Sequence, residues 1–140
     1  MNIKDDFYSS PHLFILVKVE REFFSKDIPS APQDLVEFWT EFGAGEIFET
    51  ETIYSPSTDE NVDTVQKANE HFLKEGMPPD YTVFHTGIAV SAYRTEEPRY
   101  VILNEDNFEV IKSFNSLEEW YSSTLRKEYA ERYGMVSKDR

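Results

Sequence analysis

The sequence predicts an α+β fold in which a mainly antiparallel central sheet is flanked by helices. Strand-like stretches cluster between residues 46 and 56 and between residues 81 and 114, whereas helical periodicity marks both ends and one central segment. The 140 residues are enough for one domain, and eleven Phe, eight Tyr and two Trp provide bulk for its core. We therefore predict a single domain over residues 1–140, with its core over residues 10–134 and with frayed termini.

The first segment allows two interpretations. Residues 1–9 are predicted to be a loose start, and Ser10-Pro11 is typical of a helix entry. Apolar residues between Leu13 and Phe24 can share one helical face, so we favour a helix there. The aromatic and β-branched run within Leu13–Val19 keeps a strand as the alternative.

A helix over Pro32–Phe42 has the clearest pattern in the chain, after a short turn at residues 26–31. Its apolar residues recur at the spacing of one helical stripe: Leu35, Phe38, Trp39 and Phe42. Gly43 is suited to the left-handed position that ends a helix. The alternating, β-rich run Glu46–Pro56 that follows predicts a strand with a local irregularity.

A third helix is predicted after Ser57, because Ser57 and Glu60 match a capping box and apolar residues continue at helical spacing to Leu73. Gly76 and the prolines after Met77 end it. Gly87 then divides the β-rich run Tyr81–Tyr93 into two strands joined by a turn.

The C-terminal third predicts a hairpin and a last helix. Arg99–Asn104 and Phe108–Phe114 are strand-like, with a turn at residues 105–107. Ser116 and Glu119 form a second capping box, the helical stripe reaches Tyr129, and Gly134 ends the helix. Residues 136–140 are predicted to be a frayed tail.

Composition excludes several classes of protein. The chain has no cysteine, so disulfides, zinc–thiolate sites and thiol nucleophiles are ruled out. The first ten residues carry acids where a signal peptide has basic residues, and the apolar run Leu13–Val17 is too short for a membrane span. We predict a cytoplasmic protein without membrane association.

Motifs for catalysis and metal binding are missing from the sequence. His12, His71 and His85 have no partner at metal-ligand spacing, and no nucleophile elbow or phosphate-binding glycine loop occurs. We expect His85 to be a half-buried, hydrogen-bonded structural residue. No catalytic residue, metal or cofactor is therefore predicted, and a small acid/base enzyme built on carboxylates and His85 is the least favoured alternative.

Acidic residues are concentrated in one window. The formal net charge is −13, and between Glu41 and Asp63 there are seven acids and no Lys or Arg. Such a field repels nucleic acid and anionic membranes and attracts basic proteins, although a merely solvated acidic surface is the plain alternative. The predicted partner-binding face comprises Glu46, Phe48, Glu49, Glu51, Tyr54, Asp59, Glu60 and Asp63. A weaker acidic cluster comprises Glu96, Glu97, Glu105, Asp106 and Glu109.

The order of several weak motifs resembles the SUKH superfamily, which includes bacterial toxin-immunity proteins and yeast cell-wall-synthesis-regulator-like domains. The resemblance covers residues 10–130. The matching positions are Pro32, Leu35, Phe38, Trp39, Gly43-Ala44-Gly45, Gly76-Met77-Pro78, Val83–Gly87, Ser113-Phe114, Ser116, Leu117 and Trp120. The chain departs from the family after Gly87, where many relatives have an acidic, glycine-rich turn and this chain has Ile88–Tyr93.

The resemblance implies an α+β domain without catalysis or cofactor. It also implies a bacterial immunity protein, or antitoxin, that neutralises a polymorphic toxin, often a nuclease, by stoichiometric binding. The acidic window agrees with a basic partner of that kind, and direct nucleic-acid binding is not expected. The alternative is a non-catalytic regulatory or scaffold module, as the eukaryotic members suggest.

Overall fold

The computed structural model describes residues 3–135 and has a seven-stranded antiparallel sheet at its centre. Each strand pairs with the next one along the chain, so the order is β1 to β7 without a crossover. The strands are β1 (Phe14–Val17), β2 (Ala44–Ile47), β3 (Glu51–Ile53), β4 (Thr82–Thr86), β5 (Val90–Tyr93), β6 (Tyr100–Leu103) and β7 (Val110–Phe114). With the helices described next, this arrangement confirms the predicted α+β class.

The helices cover the two faces of the sheet unequally. They are α1 (Ile3–Ser9), α2 (Gln33–Glu41), α3 (Val65–Lys74), α4 (Leu117–Tyr121) and α5 (Lys127–Tyr129), with a π-helical segment, Ser122–Arg126, joining the last two. Helices α1, α2, α4 and α5 share one large core on the inner face. Helix α3 covers only β4–β6 on the outer face, where Phe72 packs against a second core around Val83, Val101 and Phe108. Within residues 3–135, no α-helix covers the outer face of β1–β3, and the nearest helical residues are those of the 3-10 turn Arg21–Phe23.

The N-terminal predictions were wrong at two places. Residues 3–9 are not loose: they form α1, whose Asp6 accepts hydrogen bonds from Tyr121 Oη at 2.6 Å and Arg126 Nε at 2.9 Å. The favoured helix after Ser10 is only the 3-10 turn Pro11–Leu13, followed by strand β1. Pairing with β2 provides hydrogen-bond partners for the backbone groups of Leu13, Ile15 and Val17, which this short apolar run could not supply for itself.

Helix α2 and its glycine stop are confirmed. The N–H of Gly43 donates to the carbonyl of Phe38 at 3.1 Å, and Gly43 has φ +112°. A Cβ at position 43 would lie 2.3 Å from the carbonyl carbon of Val17, so the turn also needs glycine for close approach to β1. The resulting turn leads directly from α2 into β2.

The acidic window differs from the prediction in two ways. The single strand Glu46–Pro56 is two strands, because Phe48 and Glu49 adopt left-handed conformations with φ +55° and +69°. Helix α3 begins at Val65, and its N-cap is Thr64, whose side chain accepts from the N–H of Lys67 at 3.2 Å. Ser57 is instead buried: its backbone forms an isolated bridge with Phe24, and its hydroxyl lies 2.8 Å from Ser55 Oγ.

Most of the remaining elements follow the prediction, but the last helix does not: it is divided by the π-helical segment and ends at Tyr129 and not at Gly134. Gly76 has a positive φ at the end of α3, Gly87 lies between β4 and β5, and β6 and β7 form a hairpin. Ser116 accepts from the N–H of Glu119 at 3.1 Å. The predicted tail at residues 136–140 lies outside the described residues. No helix within residues 3–135 is long and apolar enough to cross a membrane.

Candidate functional site

The structure separates the predicted partner-binding face into exposed and buried parts. Glu46, Glu49, Asp59, Glu60 and Asp63 are exposed. Tyr54 is half-buried, and its hydroxyl bonds to Thr86 Oγ1 at 2.7 Å. Phe48 and Glu51 are fully buried, and their assignment to a contact surface was therefore wrong.

Phe48 belongs to the aromatic core and not to a binding surface. Its ring stacks on Tyr129 and Tyr133 at centroid distances of 4.9 and 5.8 Å. The left-handed turn that begins at Phe48 directs the side chain towards the C-terminal helical segment instead of continuing the alternation of β2. The ring thus fixes that segment against the β2–β3 turn.

Glu51 is the centre of a buried hydrogen-bond network. Its Oε1 accepts from His85 Nε2 at 2.8 Å and from the N–H of Ile88 at 3.0 Å. Its Oε2 accepts from Tyr129 Oη at 2.6 Å. The carboxylate therefore joins β3, β4, the β4–β5 turn and α5. Gly87 allows this approach, because a Cβ there would lie 2.1 Å from Glu51 Oε1.

The network continues away from Glu51 through His85 and Ser91 to Trp120. His85 Nδ1 lies 2.9 Å from Ser91 Oγ, and Trp120 Nε1 donates to the same Oγ at 2.9 Å. An indole N–H can only donate and an ionised carboxylate can only accept. Glu51 therefore requires a hydrogen on His85 Nε2. In the neutral ring, which burial of His85 favours by lowering its pKa, the bare Nδ1 accepts from the Ser91 hydroxyl, while Ser91 Oγ accepts from Trp120.

Burial and hydrogen bonding determine the ionisation of this pair. Burial opposes a charge on Glu51, but hydrogen bonds from His85, Tyr129 and Ile88 outweigh it and place the pKa of Glu51 below its usual value. Burial also lowers the pKa of His85, against the attraction of Glu51. Both directions agree with an ionised glutamate beside a neutral histidine at neutral pH.

The residue types Ser, His and Glu are those of a hydrolase triad, but their placement here is that of a structural network. Ser91 and His85 have no exposed surface, and Glu51 is 1% exposed. A nucleophile must be reachable by its substrate. The prediction of a hydrogen-bonded structural His85 agrees with this arrangement, although the ring is fully and not half buried.

The uncovered outer face of β1–β3 forms the floor of a groove of about 680 Å³. One wall is the segment 17–23 and the other is the segment 55–63. At one end, the N–H of Ser25 donates to the carbonyl of Pro56 at 2.7 Å and joins the walls. We call this feature the β1 groove. The side chains of Ile15, Val17 and Phe23 line it and are more than 60% exposed.

Three acids of the predicted face line the β1 groove: Glu46, Asp59 and Asp63. Glu46 lies on the floor because it is paired with Ile15 on one side and Thr52 on the other. Asp59 is held in the wall by a turn, in which its Oδ1 accepts from the N–H of Asn61 at 2.9 Å. Among the described residues, four carboxylates including Glu20 line the groove, against one cation, Lys18. Glu49 and Glu60 are exposed but do not line it.

Sequence reasoning missed the apolar part of this groove. The favoured helix places Val17 on the same face as Leu16, although the alternation of Ile15 and Val17 with Phe14 and Leu16 is the signal of a strand with two distinct faces. The burial of Glu51 also had a signal, because Glu51 shares strand parity with Ile47 and Ile53 and both isoleucines are buried.

Two further features concern possible ligand sites. Within residues 3–135, no group of three or more His, Asp or Glu side chains is placed to hold a metal ion. A second cavity of about 610 Å³ lies between α3 and the sheet and is lined by Lys67, His71 and Glu105, among others.

Comparisons with protein-family models, curated proteins and solved structures find no match to this chain.

Proposed function

We propose that this protein is an immunity protein that binds a cognate toxin domain, most simply a basic nuclease, and neutralises it by stoichiometric association. The observation that carries the proposal is the β1 groove, in which an exposed apolar floor lies among four carboxylates. Apolar contacts provide the buried centre of a protein interface, and complementary charge accelerates encounter. The chain would act in the cytoplasm of a bacterium.

Two other features support a binding role without catalysis. The motif residues that resemble the SUKH superfamily lie mainly in the core: Leu35, Phe38, Trp39, Leu117 and Trp120 are buried. They therefore maintain the fold and leave the outer face free to differ between proteins. The one cluster with hydrolase-like residues, around His85, is closed to solvent.

The test is coexpression with the toxin domain encoded by the adjacent reading frame. We expect a one-to-one complex and loss of toxin activity at equal concentrations. The variant Glu46→Lys/Asp59→Lys/Asp63→Lys should reduce the association rate by about tenfold or more at low salt, because steering of this size is typical of complementary surfaces. High salt should reduce the difference.

The matched control reverses three exposed acids away from the groove, in Glu105→Lys/Asp106→Lys/Glu109→Lys. It changes the net charge by the same amount, so a general field effect would slow both variants equally. If the toxin is neither bound nor inhibited at a one-to-one ratio, the proposal fails. Binding of a host protein without protection from any toxin would instead identify a regulatory or scaffold module.

A further inference from the structure

We infer that the partner of this protein adds an extended segment to the free edge of β1 and places its side chains in the β1 groove. This inference rests on the proposed function, because it specifies how the toxin is held. The segment it calls for alternates apolar residues with Lys or Arg.

The backbone of β1 presents unused hydrogen-bonding groups at the sheet edge. The N–H of Phe48 donates to the carbonyl of Leu13 at 2.9 Å, so Leu13, Ile15 and Val17 are the residues whose backbone groups face β2. In an antiparallel pair the next residue faces the other way. The N–H and C=O of Leu16 therefore point to the outer edge, and neither has a hydrogen-bond partner within residues 3–135.

The side chains of β1 present a matching apolar surface. Ile15 and Val17 are 68% and 70% exposed, and both point into the β1 groove. Edge strands with uncovered apolar residues pair readily with other strands unless a charge or proline blocks them. A strand added beside β1 would bury these two side chains and satisfy Leu16, which is the usual mode of strand addition.

The negative charge of the β1 groove determines which kind of segment can bind there. The four groove carboxylates favour a segment with cations at alternate positions, whose aliphatic stems can cover Ile15 and Val17. A second copy of the chain would bring the same carboxylates together, so self-association through β1 is disfavoured. The opposite edge strand, β7, has Lys112 at its centre, which disfavours a cationic strand there.

The experiment compares two short capped peptides of alternating valine and lysine. The second is N-methylated at every second residue, so one edge of the extended peptide has no backbone N–H donors. The two peptides have the same side chains and charge, but only the first can complete backbone pairing. We expect the unmethylated peptide to bind at least about tenfold more tightly and to slow hydrogen exchange of the Leu16 amide. Ile15→Thr/Val17→Thr should weaken binding, whereas Val110→Thr/Ile111→Thr on β7 should not.

Equal binding of the two peptides, or unchanged exchange at Leu16, would overturn the inference. Dimerisation of the protein through β1 in sedimentation would also overturn it. Failure of this inference can be distinguished from failure of the proposed function. If Ile15→Thr/Val17→Thr neutralises the toxin as well as the wild type does, the proposed function is supported but strand addition is not. If the peptide binds β1 but the protein neutralises no toxin, strand addition is supported but the proposed function is not.

Discussion

Glu46 and Glu51 come from the same acidic window, are five positions apart, and have opposite roles. Glu46 faces the β1 groove between Ile15 and Thr52, exposed to solvent. Glu51 faces the inner core, paired across the hairpin with Ile47, and its carboxylate is held by His85, Ile88 and Tyr129. A run of acids in a sequence is thus not one surface, because a strand sends alternate side chains to opposite faces of its sheet.

The largest effect expected from this comparison is on stability. Glu51→Ala removes the acceptor of the buried His85 Nε2–H, of the partly buried Ile88 N–H and of the Tyr129 hydroxyl. We expect the free energy of unfolding to fall by about 3–5 kcal/mol, as for other broken buried networks. Glu46→Ala is the matched control and should change it by less than about 0.5 kcal/mol. Urea unfolding of the two variants measures the difference. Similar decreases in the free energy of unfolding would contradict the assignment of Glu51 to the core and of Glu46 to the surface.

Ser91→Ala should have a smaller effect in the same network. It removes the acceptor of Trp120 Nε1 and the donor to His85 Nδ1, at a cost of about 1–3 kcal/mol. Ser113→Ala on exposed β7 is the control and should be nearly neutral. Urea unfolding measures the difference, and an unchanged unfolding midpoint in Ser91→Ala would show that the hydroxyl contributes nothing.

Acidification should destabilise the protein through the buried pair of Glu51 and His85. A group with a depressed folded pKa gives stability that is present above its unfolded pKa and is lost as pH falls towards the folded value. For His85 the loss begins near its ordinary pKa of 6.5, and for Glu51 near 4.5. Each group contributes a slope of at most about 1.4 kcal/mol per pH unit.

The comparison variant for this pH dependence is His85→Gln, whose amide can still donate to Glu51. Its free energy of unfolding should change less than that of the wild type between about pH 7.5 and about pH 5.5, which lie about one unit on either side of an ordinary histidine pKa. Urea unfolding at both pH values provides the measurement. Equal changes in the two proteins would mean that His85 is not the group that titrates.

The smallest expected effect on stability is at the groove itself. Ile15→Thr/Val17→Thr alters two side chains that are already mostly exposed, so the free energy of unfolding should change by less than about 1 kcal/mol in total. A large decrease in the free energy of unfolding would mean that these residues stabilise the sheet. Their exposure would then not be explained by partner binding alone. The same thermal or urea series can include this variant beside Glu51→Ala.

Local signals predicted most of the secondary structure. The stripe of α2, the glycine turn at Gly43, the break at Gly87 and the Ser116 cap are each decided by neighbouring residues, and each is confirmed. The wrong predictions concern elements whose structure depends on residues far away in the sequence. Strand β1 forms because β2 is available to pair with it, and Thr64 caps α3 because Ser57 is held by Phe24.

The candidate site was predicted only in part for the same reason. The sequence by itself determined an α+β chain with a concentrated negative charge and the aromatic bulk for a core, since composition and short-range periodicity are sufficient for these properties. Only the tertiary structure decided that Glu46, Asp59 and Asp63 border an apolar groove while Phe48 and Glu51 are buried. That division depends on strand pairing, on the left-handed turn at Phe48 and on which half of the sheet α3 covers, and all three arise from contacts between residues far apart in the chain.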